Sequence, residues 1–216
     1  MLYWAKGRRT VRVIGGRLGG RRLRAPRGTT VRPTLDRVRE ALFAILAPAV
    51  AGARVLDLFA GTGALGIEAL SRGAAEAVLV EPDPGVRRVL AANLQALDLG
   101  REARILPWRA EVAVRRLPPG TFDLVLCDPP WTWDPPAALL DRLAPLLRPP
   151  GWLVWEADAR GRPAPVIPGL TAVDRRRYGR TTLVFWRAAD RPRGAQPAGP
   201  PDKEGHDGAG TVPGIV

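Results

Sequence analysis

An α/β fold built on a mostly parallel sheet is predicted for this 216-residue chain, and three observations predict it. From Ala53 onward, short apolar runs alternate with helical stretches, those runs are apolar on both faces, and the last two follow each other with no helix between. Strands apolar on both faces belong to a parallel sheet covered on each side. Two strands joined without a helix must pair antiparallel. The 46% hydrophobic content supplies a sizeable core for one ordinary domain with additions, which argues against a disordered chain.

In chain order, "VRVIGGRLGGRRLRA" (11–25) reads as two short strands around a glycine-rich turn, a hairpin with arginines on its exposed face. "RPTLDRVREALFAIL" follows as a helix, with Thr34 as N-cap and Leu35, Val38, Leu42, Ile45 and Leu46 at helical spacing, so Arg37 and Arg39 fall on its polar side. Strands are predicted at 53–59, 77–81, 103–106, 122–127 and 151–156, and helices at 64–72, 84–98, 109–116 and 136–147. "LTAVDRRR" and "RTTLVFW" form the closing hairpin, turning at Tyr178 and Gly179. Residues 188–216 contain eleven Pro or Gly in twenty-nine and no periodic apolar face, the composition of a disordered tail.

Charge is unevenly placed. Residues 1–40 hold eleven Arg, one Lys, one Asp and one Glu, so +10 of the formal +12 lies in this fifth of the chain and points to a polyanionic partner. Arginine richness is also what a GC-rich genome produces, so location carries more weight than total. Cys127 is the only cysteine, which rules out an intrachain disulfide and suggests a reducing compartment. No Cys/His spacing suggests a metal. "MLYWAKGRRT" lacks the apolar stretch of a secretory signal, and the longest apolar run, Ala41 to Ala53, has 13 residues broken by Pro48 and Gly52. A membrane span needs roughly 20. A soluble, cytoplasmic monomer without metal is therefore expected. His206, the sole histidine, falls in the tail, away from any rigid shell that could use it.

"LDLFAGTGALGIEAL" carries Gly61, Gly63 and Gly66 in G-x-G-x-x-G spacing after a strand and at the start of a helix, the context of a nucleotide-binding loop. The bland alternative is a tight turn with no ligand. Asp57 separates the ligand candidates, because a carboxylate beside a pyrophosphate is unfavourable. S-adenosylmethionine reverses that sign, having an ammonium and a sulfonium. Phe59, Ala60, Thr62 and Ala64 complete the loop, and Gly63→Val is expected to fill the space above it. Glu81, twenty residues after Gly61, is placed to accept from ribose hydroxyls. Arg109 and Ala110 fall beside the adenine, with Trp108 covering a ring face or packing in the core.

"LCDPPWTW" (126–133) ends the fourth predicted strand at the carboxyl edge of the sheet, where open α/β folds bind ligands. An amino group on a nucleic-acid base has its lone pair delocalised into the ring. A site that methylates it must hold the N–H groups with acceptors and aim the nitrogen at the methyl. Asp128 and the carbonyl of Pro129 are such acceptors, Pro129 and Pro130 stiffen the loop, and Trp131 offers a stacking face. The competing reading is a Pro-rich turn after a buried strand.

With these segments the chain resembles class I S-adenosylmethionine-dependent methyltransferases acting on exocyclic amino groups, whose motif is Asp/Asn-Pro-Pro-aromatic. "RVIGGRLGGRRL", "RPTLDRVREALFAIL", "LDLFAGTGALGIEALSRGA" and "YGRTTLVFW" resemble the bacterial 16S ribosomal RNA guanine-N2 methyltransferase family over about residues 10–187. The resemblance implies a seven-stranded sheet with one reversed strand and methyl transfer to a guanine N2 in small-subunit RNA. It implies that Asp57 to Gly66 and Glu81 bind the cofactor, and that Asp128 to Trp131 hold the guanine. Arg109 departs from the Asp or Asn common in that family. The division expected is a basic hairpin-plus-helix extension over 1–50, a catalytic domain over 51–187 and a tail over 188–216. Arg12, Arg17, Arg21, Arg22, Arg24 and Arg32, near Lys6, Arg8 and Arg9, are the candidates for RNA phosphate contacts, against a reading as solvated surface charge. Competing functions are methylation of another amino group such as adenine N6, a nicotinamide oxidoreductase, and a catalytically silent RNA-binding protein.

Overall fold

The computed structural model describes residues 11–25 and 36–188. Thr34, Leu35, Arg32, Lys6, Arg8, Arg9, His206 and the tail beyond Ala188 lie outside the described residues. The hairpin is formed by β1 (Val11–Arg12) and β2 (Arg22–Leu23), joined through a 3-10 turn at Gly16–Leu18. Helices α1 (Asp36–Ile45) and α2 (Ala47–Val50) follow. The long apolar run is thus two helices, because Pro48 sits in the first turn of α2, where its missing N–H costs nothing.

Next come β3 (Arg54–Asp57), α3 (Ala64–Ser71), β4 (Glu76–Val80), α4 (Pro84–Ala96), β5 (Ala103–Leu106), α5 (Ala110–Arg116), β6 (Phe122–Cys127) and α6 (Ala137–Leu146). The chain closes with β7 (Leu147–Asp158), β8 (Leu170–Tyr178) and β9 (Thr181–Ala188). The seven-stranded sheet has the order β5-β4-β3-β6-β7-β9-β8, and β9 is antiparallel to both its neighbours. It is the one reversed strand. The order turns back between β3 and β6, which opens a crevice at the carboxyl ends of these two strands.

Alternation along the strands splits the core into two layers. Val55, Ala77, Leu79, Leu124 and Leu126 face the hairpin, α1, α3 and α4, whereas Leu56, Val78, Val80, Val125 and Cys127 face α5 and α6.

Arg39 corrects the sequence reading. It is fully buried rather than on the polar side of α1. Its Nη2 donates to the carbonyl of Arg12 (2.7 Å) and to Asp36 Oδ1 (2.8 Å), so β1 covers the very face that helical spacing alone leaves to solvent.

Helix α3 is buried on all sides from Leu65 to Ser71, because the hairpin covers its outer face. The contact is polar and tightly satisfied. Glu68, fully buried, accepts from Ile14 N (2.7 Å), Gly15 N (2.8 Å) and Arg72 Nε (2.7 Å), while Ser71 Oγ accepts from Leu18 N (2.9 Å). Glu68→Ala would leave two part-buried amides and a guanidinium without their acceptor. It is expected to cost about 3 kcal/mol, read as a lower denaturation midpoint.

Candidate active site

Three strand tips converge at the crevice. Asp57 ends β3, Glu81 follows β4 and Asp128 follows β6, because each strand stops where its chain turns toward the covering helix. Asp57 is buried, and its Oδ2 accepts from Gly66 N at 3.0 Å. Its Oδ1 has no hydrogen-bond partner among the described residues. Burial, and then the nearby negative charges of Asp128 and Glu81, push the Asp57 carboxyl up to about 7 against the opposing backbone amides of Gly66 and Phe59. Glu81 is also raised, chiefly by burial, although Oε2 accepts from Gly61 N (3.1 Å) and Oε1 from Asp83 N (2.8 Å). Each of those oxygens keeps a second lone pair. The same setting of burial and carboxylates drives the Cys127 thiol well above its ordinary range, so it is an inert core group.

The loop between β3 and α3 is tied down on both sides. Ala60 N donates to Val80 O (3.0 Å) and Gly63 N to Ala60 O (2.7 Å). Thr62 is buried and its carbonyl accepts from Asn93 Nδ2 (3.0 Å). Asn93, on α4, also accepts from Arg24 N (2.8 Å) and donates to Arg24 O (3.1 Å), linking the hairpin directly to the glycine loop.

Two glycines of the G-x-G-x-x-G motif stand at close approaches, and one of them corrects an expectation. At Gly63 (φ +88°) a Cβ would lie 2.5 Å from Leu90 Cδ1 and 2.9 Å from Ile67 Cδ1, so a side chain there points into the core and not into the space above the loop. Gly63→Val is therefore expected to lower stability by about 2–4 kcal/mol in ligand-free thermal melts, through strain and overpacking. At Gly66 a Cβ would lie 2.2 Å from Leu79 Cδ2, which makes glycine the condition for α3 to pack on β4.

Beyond Asp128, Pro129 is buried, Pro130 exposed and Trp131 half-buried. The two tryptophans of this loop part company. Trp133 turns inward, edge-on to Phe59 (5.1 Å between centroids) and stacked on Trp155 (6.4 Å), whereas Trp131 lies beneath the Arg180 guanidinium (5.1 Å). Pro129, Pro130 and Trp131 line a cleft with Glu156, Ala157 and Asp158 from the end of β7. Arg109 is exposed at the N-cap of α5, and Ala110 is buried in its first turn. Trp108 packs on the α5–α6 core layer under Arg116 (5.2 Å).

The hairpin arginines are all exposed, but three are already engaged. Arg12 pairs with Asp36 (2.9 Å), Arg17 with Glu102, and Arg21 donates to Ala96 O (3.1 Å). Arg22 and Arg24 form no ion pair among the described residues. Sequence reasoning missed Glu68, Ser71, Asn93 and Arg180. The first two carried a signal: a helix apolar all round is buried, so its polar residues must have partners.

Residues 11–187 match the family described as Conserved hypothetical protein 95. The chain belongs to this family. Among the relatives of this conserved hypothetical protein 95 member, the ribosomal RNA small subunit methyltransferase D of Escherichia coli (strain K12) is 44% identical over 149 residues, covering 68% of this chain and 71% of the relative. The protein of that name from Haemophilus influenzae is 34% identical over 178 residues, 73% of this chain and 91% of its own. The solved yhhF chain of Escherichia coli superposes with a TM-score of 0.74 at 33% identity, over 84% of this chain and 99% of that one. Among the described residues no helix is long and apolar enough to cross a membrane, and no cluster of His, Cys, Asp or Glu could hold a metal ion.

Proposed function

We propose that this chain transfers a methyl group from S-adenosylmethionine to the exocyclic N2 amino group of a guanine in 16S ribosomal RNA, within a small-subunit particle in the cytoplasm. The observation that carries this reading is the unpartnered, buried Oδ1 of Asp57 beside a second acid, Asp128, at the switch point of the sheet. Such a pocket is poised for a cation and hostile to phosphate. The names of the relatives support ribosomal RNA as the substrate, and the flanking segments support guanine.

In this reading Asp57 and the loop Phe59, Ala60, Gly61, Thr62, Gly63, Ala64 and Gly66 hold the methionine end, and Glu81 takes the ribose hydroxyls. Arg109 and Ala110 border the adenine. S-adenosylmethionine supplies a methyl on a sulfonium, whose carbon–sulfur bond breaks as the bond to the amine nitrogen forms. Asp128 and the Pro129 carbonyl accept the amine N–H groups, Pro130 keeps the loop stiff, and Trp131 stacks on the base. Acceleration then comes from proximity and alignment, and the surplus proton leaves to Asp128 or to water. Residues 1–50 serve as the RNA-gripping extension, with Arg12, Arg17, Arg21, Arg22, Arg24 and Arg32 toward phosphates, 51–187 as the catalytic domain, and the protein acts as a monomer.

The test is to incubate the full chain with small subunits from cells lacking it, using labelled donor, and to identify the nucleoside after digestion. N2-methylguanosine is expected. N6-methyladenosine, or no label, overturns the proposal.

A further inference from the structure

Concentration of charge at the N-terminus hides a second basic surface. Residues 157–188 contain seven arginines and two aspartates. Four of those arginines cluster at the end of the β8–β9 hairpin: Arg175, Arg176, Arg177 and Arg180, all exposed. Register fixes where they stand. Tyr178 pairs with Thr181, and Thr181 with Asp158 at the end of β7, so the turn at Gly179 and Arg180 lies at the same carboxyl edge as Asp57 and Asp128. Arg180 reaches across that edge, its guanidinium over Trp131 and its Nη2 on Asp158 Oδ2 (2.7 Å).

Arg175 pairs with Val184, and Val184 with Trp155. Paired residues share a face of the sheet, and Arg177 lies on that face too, two positions along. These two side chains therefore rise from the face that carries Trp155 and the Trp131 cleft, spaced by roughly 7 Å. The N-terminal hairpin covers the opposite face. The candidate base slot thus sits on an edge between two basic faces.

Resting on the reading of that slot as one for an RNA base, we propose that Arg175, Arg177 and Arg180 form a second RNA-binding surface that holds the backbone of the strand flanking the target nucleotide. Arg180 is the inner member, its guanidinium over the Trp131 ring, and Arg175 and Arg177 extend the track down the edge strand. Protection of an exposed edge strand against pairing with other chains would also use charge. That need would be met anywhere along β8, yet Thr171, Ala172 and Val173 are uncharged, Val173 being 47% exposed, and the arginines occupy only the part next to the slot. Arginine is also the cation that stacks on an aromatic ring while still presenting N–H groups to phosphate.

The experiment uses the full chain with Arg175→Gln/Arg177→Gln, Arg175→Lys/Arg177→Lys and Arg180→Lys. Binding to 16S RNA is measured by filter retention from low to moderate salt, alongside methyl transfer to small subunits. The glutamine double variant is expected to bind RNA about tenfold more weakly and to lose about one to two units of salt slope. Its KM for RNA should rise while kcat stays within about twofold. The lysine double variant should recover most of the affinity, because phosphate reads charge. Arg180→Lys should bind RNA more weakly than the unmodified chain, because an ammonium replaces the guanidinium over Trp131 that presents several N–H groups to phosphate. Unchanged affinity and slope in the glutamine double variant would overturn the proposal. Because RNA binding is scored apart from turnover, absence of methyl transfer by the unmodified chain would sink the assigned reaction and leave this surface to be judged on binding alone.

Discussion

Alanine at Asp128 is expected to lower turnover on small subunits about 10³-fold while changing donor affinity by less than about threefold. The loss is large because, in the proposed reaction, the carboxylate works on the acceptor side, holding the amine N–H groups and taking the proton released as the nitrogen forms its new bond. Donor affinity is spared because the proposed donor contacts are made by Asp57 and Glu81 and not by Asp128. Asparagine at the same position keeps an acceptor oxygen of similar shape, so the expected loss there is nearer tenfold. Single-turnover methyl transfer with saturating donor, paired with calorimetry on the donor alone, separates the two effects. Turnover of the alanine variant within tenfold of the parent would remove Asp128 from the chemistry. A second readout follows from electrostatics: Asp128 helps to raise the Asp57 carboxyl, so its removal should let Asp57 ionise at lower pH.

The strands that sequence reads best are those whose limits are set locally. β5 and β6 match their expected bounds, since each is an apolar run flanked by turn residues. β7 starts four residues earlier than its expected start at Gly151, because Phe122 pairs with Leu147 before a register shift, and that pairing belongs to the partner strand. β9 likewise runs on to Ala188, which pairs with Leu170, so order extends one residue into the segment assigned to the tail. Arg39 was misplaced for the same kind of reason. Helical spacing shows which face is apolar, but not that a carbonyl of a distant hairpin will meet an arginine beside that face.

The meeting of the tips of β3, β4 and β6 at one crevice was legible because strand ends sit at one sheet edge whatever the details of packing. Asp57, Glu81 and Asp128 needed only the strand boundaries and the parallel topology. The links behind them were not legible. Asn93 joins Arg24 to the carbonyl of Thr62 across sixty-nine and thirty-one residues of chain, and nothing in "LAANLQA" marks that asparagine as different from one facing solvent. Arg180 reaches Trp131 only through the β7–β9–β8 register. The direction of Gly63 was misread because the motif specifies a glycine without saying whether ligand or core needs the room.

Donor binding should depend on pH through Asp57, and the direction is fixed by the carboxyl lying near 7 when the pocket is formed, against 3.8 for an unperturbed group. Below pH 3.8 the group is protonated in folded and unfolded chains alike and costs nothing. As pH climbs toward 7 the unfolded chain ionises first, so the fold loses stability on the order of 4 kcal/mol, a loss complete once pH passes the folded value. A cation beside Oδ1 favours the ionised form and offsets that cost. S-adenosylmethionine should therefore bind about tenfold more tightly at pH 8 than at pH 6, with proton release visible as a dependence of calorimetric heat on the ionisation enthalpy of the buffer. Asp57→Asn separates this from a general effect of pH, because it moves two quantities in opposite directions. At pH 8 the ligand-free variant should melt higher than the parent, having no buried charge to tolerate, and should bind the donor at least about tenfold more weakly with almost no dependence on pH. A variant that retained both the affinity and its pH slope would show that the cation is held elsewhere, and the pocket at the tip of β3 would lose its assigned ligand.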